Sequence, residues 1–208
     1  MSTPTSAPPP NLTSEAFDEY LEAMHNHYLN RAKALHGGRG LSPQLAARFV
    51  LPSELTIATD SLKDAPQEAK DVLIKYDTDP NLHFMDQDAA YIAQKVDLAR
   101  SKQIDPDEFD RLMDERADKN IADYTKTQQD TKERLKDLGH QHPDWQQSIL
   151  NLFNNVSDFL LGPKAWMKII DFIVDTVKNF LEWAGKVLGW FGGVISDVTM
   201  FFQSLGIS

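Results

Sequence analysis

Between Trp166 and Leu205, alternating steps of four and three residues select Trp166, Ile170, Ile173, Val177, Phe180, Ala184, Val187, Phe191, Val194, Val198, Phe201 and Leu205, and every one is apolar. These are the a and d positions of an uninterrupted heptad repeat, a spacing that only a helix can turn into a continuous face. The adjoining e positions, Met167, Val174, Leu181, Leu188, Ile195 and Phe202, are apolar as well, so the stripe is wider than a two-stranded seam requires. The opposite f positions read Lys168, Asp175, Glu182, Gly189, Ser196 and Gln203. An amphipathic helix of ~60 Å is the expectation for residues 164–205 at 1.5 Å per residue, either unbroken or folded as a helical hairpin. Gly185, Gly189, Gly192 and Gly193 lower its propensity, and the three spaced four apart form two G-x-x-x-G steps that allow close helix approach.

Upstream, apolar residues also repeat at helical spacing, and no run of alternating β-branched residues argues for a strand. The predicted class is all-α. Phe17, Tyr20, Leu21, Met24, Tyr28, Ala32 and Leu35 line a first helix that Ser14 can cap and GGRG ends. Ser42 and Pro43 predict a short helix through Phe49, and LTIAT (55–59) reads as a short extended piece. Helices at about 66–76 and 86–103 follow, separated by a loop at DTDPN.

Asp105, Pro106 and Glu108 then form an N-terminal signature, and the helix they open is expected to run to Leu138 with Gly139 as its stop. Its apolar set thins between Tyr124 and Leu135, which predicts packing at both ends and solvent between them. The acids of DPDEFDRLMDERADKN read as a solvated face. A turn at HQHPD precedes a helix with Trp145, Ile149, Leu152, Phe153, Val156, Phe159 and Leu160 on one side, broken at Gly162 and Pro163.

The expected organisation is therefore a Pro/Ser/Thr-rich disordered tail (1–13), an acidic helical body (14–162) and a hydrophobic, heptad-patterned arm (163–208). From Lys164 onward four lysines and four acids cancel, so the whole net charge of −10 lies in residues 1–163. Such a body repels phosphate backbones, and no nucleic-acid partner is expected. Cysteine is absent, which removes disulfides, thiolate metal sites and a cysteine nucleophile. The first twenty residues lack the basic start and apolar run of a secretory signal, so cytoplasmic synthesis is expected, with peripheral-membrane or virion association to follow.

Chemistry-bearing motifs are sparse. DTDPNLHFMDQD places Asp77, Asp79, Asn81, His83 and Asp88 as in an EF-hand loop, but Leu82 stands where glycine is needed and Asp88 replaces the long glutamate. An acidic turn is the expectation. His25 with His27 would point apart on a helix, whereas His140 and His142 fall in a predicted loop without a third ligand. No catalytic residue, cofactor or metal is expected.

The functional expectation is a non-enzymatic helical protein, toxin-like or a virion or delivery protein, whose arm mediates membrane association or oligomerisation. The interface residues would be Trp166, Ile170, Ile173, Val177, Phe180, Val187, Phe191, Val194, Ile195, Val198, Phe201 and Phe202. Only ten uncharged residues separate Lys186 from Asp197, and Asp197 at mid-bilayer would cost about 2.5–3.5 kcal/mol, which disfavours a lone span. The alternatives are a structural subunit whose last helix docks on partner helices without lipid, and a stripe that serves as the core of its own bundle.

Overall fold

The computed structural model describes residues 12–36 and 47–161. Among them the protein is all-α, with no strand. Five α-helices run as α1 (Ser14–His36), α2 (Gln67–Leu73), α3 (Asp79–Arg100), α4 (Pro106–Gln141) and α5 (Gln146–Leu160). Short stretches of tighter 3-10 helix lie at Thr59–Asp64 and Pro143–Trp145, and a π-helical turn, Ile74–Thr78, joins α2 to α3.

α4 is the axis. Its 36 residues span ~54 Å, and α1, α2, the π turn, α3 and α5 all pack on it. The start signature read from the sequence is realised: the Asp105 side chain accepts from Glu108 N at 2.8 Å, and Pro106 occupies the first helical position, where its missing N–H costs nothing. Phe17, Leu21, Met24, Tyr28 and Ala32 of α1 meet Met113, Ala117, Tyr124 and Leu135 of α4 and Ile149, Phe153 and Val156 of α5 in one buried cluster. α5 is buried on its polar side too, at Asn151, Asn154 and Ser157.

Several boundaries differ from expectation, each for a local reason. Thr13, not Ser14, caps α1, accepting from Ala16 N at 3.2 Å. Residues 47–50 are irregular, so the helix expected through Phe49 does not reach that residue. LTIAT forms no strand; α5 side chains hold it instead. No loop forms at DTDPN. The chain stays helical through Pro80 because the π turn widens the spiral: Asp79 N bonds Ile74 O five residues back, which displaces the Tyr76 carbonyl that the proline ring would otherwise strike.

Gly139 does not stop α4, which continues to Gln141. A Cβ at 139 would lie 2.4 Å from the Phe17 ring, so this glycine allows α1 and α4 to approach closely here. The middle of α4 is not bathed in solvent either: Thr127, Gln128, Thr131 and Lys132 are all buried there. The acids of its first half do form a solvated face, with Asp107, Asp114, Glu115 and Asp118 exposed.

Candidate functional site

The polar side chains inside the bundle are organised as a seam between α3 and α4. Asp77 leaves the π turn fully buried, and its Oδ1 accepts from Asn81 Nδ2 at 2.7 Å and from Gln128 Nε2 at 2.9 Å. Eleven residues on, Asp88 is equally buried; it is paired with the Arg116 guanidinium and accepts from Asn120 Nδ2 at 2.5 Å. As one number rises the other falls, so the two helices run antiparallel and exchange polar contacts at two levels. The Arg116 guanidinium also lies 5.1 Å from the Tyr91 ring centre.

Burial dominates both carboxyls. It pushes Asp77 up to about 7, against the amides of Gln128 and Asn81, and Asp88 up to about 6, against Arg116 and Asn120. Neither is open to a substrate. Their role is to join helices. The residues aligned by EF-hand spacing are thus dispersed: Asp77, Asn81 and Asp88 face inward, Asp79 and His83 outward, all within helix. Among the described residues no group of three or more histidine or acidic side chains is placed to hold a metal ion.

A second set of polar contacts holds the irregular segment against α5. Asn151 donates to Leu55 O at 2.6 Å and accepts from Ile57 N at 3.2 Å, doing for this backbone what a neighbouring strand would do. Beside it lies a cleft of about 300 Å³, lined by Arg48, Phe49, Val50, Asn151, Asn154 and Asn155. Val50 stands 81% exposed at this cleft. Asp158 ties it to α1 by pairing with Arg31 and Arg48, each at 3.3 Å. A cavity of about 310 Å³ flanks the π turn at Tyr76, Pro80, Phe84 and Thr127.

The histidines are separated as well. His25 and His27 leave α1 toward different neighbours, whereas His140 bonds Asp18 Oδ1 at 2.8 Å and His142 stacks on Trp145 at 3.8 Å. His140 lies in the last turn of α4, not in a loop. The arm residues expected to form an interface, Trp166 to Phe202, lie outside the described residues. No described helix is long and apolar enough to cross a membrane.

Sequence reading missed the Asp77–Gln128 and Asp88–Arg116 links. The available signal was the gap in the apolar stripe of α4, where Asn120, Gln128 and Thr131 continue the helical spacing of its buried side. The chain matches no protein family, and no curated protein or solved structure is similar to it.

Proposed function

We propose that this protein is a non-enzymatic helical body that carries a C-terminal association arm, residues 163–208, through which it joins membranes or further copies of itself. The observation that carries this reading is a division of apolar surface. The bundle's buried cluster draws on each of the five described α-helices, while the sequence from Trp166 to Leu205 holds a second complete apolar face. Each large side chain buried is worth roughly 1.5–3 kcal/mol, so a face of this width calls for a cover. Lipid and a second copy both supply one.

Val194→Asp in the full chain tests the reading, with Gln203→Lys on the opposite face as control. Light scattering and flotation with phosphatidylcholine vesicles should show association for the parent and for Gln203→Lys, and its loss for Val194→Asp, while the melting transition is kept. Association with itself but not with vesicles would select the oligomer over the membrane. If Val194→Asp lowers the melting temperature of the whole chain with association unchanged, the stripe is monomer core and the proposal fails.

A further inference from the structure

α1 packs on α4 and α5, and it carries one histidine toward each side. His25 is 4% exposed, and neither ring nitrogen has a hydrogen-bond partner among the described residues. The charged groups around it are Glu22 and Lys33 on α1 with Lys132 and Glu133 on α4. His27 is half-buried on the other side, edge-on to Tyr28 at 5.1 Å and to Phe49 at 5.9 Å. It meets the Ala47 backbone, Arg31 on α1 and Asp158 on α5. Ionic links of α1 among the described residues include Asp18 with Lys136 and His140, Glu22 with Lys132, and Arg31 with Asp158.

An imidazole packed in this way is suited to the neutral form. Taking up a proton would place a cation where hydration is lost, and at His25 beside the Lys132 ammonium. The opposite side of α4 has the reverse chemistry. There the Asp77 carboxyl is fully buried among amides, and a proton removes its charge from the interior. Acid therefore acts with opposite sign on the two faces of one helix.

We propose that α1 is an acid-released clasp, whose docking on α4 and α5 weakens on mild acidification through His25 and His27 while α3 stays seated. Burial holds both imidazoles below their ordinary value of 6.5. The docked helix thus binds fewer protons than the released one; docking is at full strength above pH 6.5 and declines as pH falls below it, by up to tenfold per unit for each imidazole. Asp18 and Glu22, held below 3.8 and 4.5 by Lys136, His140 and Lys132, push the same way only at lower pH. Between pH 6.5 and 4.5 the side chains of α1 whose burial opposes protonation are His25 and His27. Over the same range Asp77, which has no cation beside it among the described residues, becomes neutral, and this favours the α3–α4 seam.

Hydrogen exchange of the full chain, read by mass spectrometry and corrected for intrinsic rates, tests this between pH 7.5 and 5.0. Protection of residues 14–34 should fall at least tenfold, while that of 79–100 holds or rises. In the full-length double variant His25→Leu/His27→Phe the fall should shrink to under threefold. Loss of protection in both regions together, no change in α1, or an unchanged slope in the variant would each overturn the proposal. Should the variant not fold, NMR titration of the parent decides: midpoints for His25 and His27 below 6.5 support the clasp, and midpoints at or above 6.5 refute it.

Discussion

Gln128 on α4 donates its side-chain amide to Asp77 Oδ1 at 2.9 Å, and among the described residues no cation pairs with that fully buried carboxyl. Burial raises Asp77 to about 7 from an ordinary 3.8. The folded state therefore binds the proton more tightly than the unfolded chain, and the stability this lends is complete below pH 3.8 and lost as pH rises through about 7. Asp77→Asn keeps an acceptor for Asn81 and Gln128 and removes the charge. It should stabilise the protein by roughly 2–4 kcal/mol at pH 8 and by almost nothing at pH 4, as read by urea denaturation. An equal effect at both pH values would exclude a charged Asp77 as the cause.

The Asp88–Arg116 pair predicts a different pattern, because each partner leaves the other buried. Asp88→Ala strands the guanidinium and the Asn120 amide, at a cost of about 3–5 kcal/mol at pH 7.5. Arg116→Met strands the carboxylate at a similar cost. The double variant Asp88→Leu/Arg116→Met should lose much less than the two together, and additive losses in denaturant titrations would show that the pair is not coupled.

At Gly139 two effects oppose each other. Alanine is the better helix former by about 1 kcal/mol, yet its Cβ would enter the Phe17 ring, which is wholly buried. Overpacking wins. Gly139→Ala should lose about 1–3 kcal/mol, and adding Phe17→Leu should recover part of it. A Gly139→Ala protein more stable than the parent would mean that α1 shifts freely on α4.

Lys102 adopts φ 56°, the left-handed conformation that follows the end of α3, where Gln103 N bonds Leu98 O and Lys102 N bonds Ala99 O. This closing pattern favours glycine, since a side chain in that region is strained. Lys102→Gly should raise stability by about 1 kcal/mol, seen as a higher melting temperature. A loss would place Lys102 in a role that its exposed side chain does not suggest.

The helical class, the start of α4 and the apolar sides of α1 and α5 were legible because each rests on local spacing or on a cap within four residues. What the sequence concealed depends on distant partners. Pro80 reads as a helix breaker until the π turn before it is known. Gly139 reads as a stop until Phe17 is seen against it, 122 residues away along the chain. Polar Asn120 and Gln128 read as a solvated stretch, because their burial is made acceptable by the distant carboxyls of Asp88 and Asp77. The arm was legible as a stripe, and nothing in its own residues names its cover.

The Tyr28 hydroxyl donates to Asn154 across 126 residues of chain. At about 5–20 residues per second, a ribosome that has finished α1 needs roughly 6–25 s to supply α5, the far wall of its seat. Until α4 and then α5 are supplied, the Phe17, Leu21, Met24 and Tyr28 face lacks its complete native seat. α1 precedes both walls of its seat in the chain, so during synthesis it is an unshielded amphipathic segment until α4 and α5 follow it.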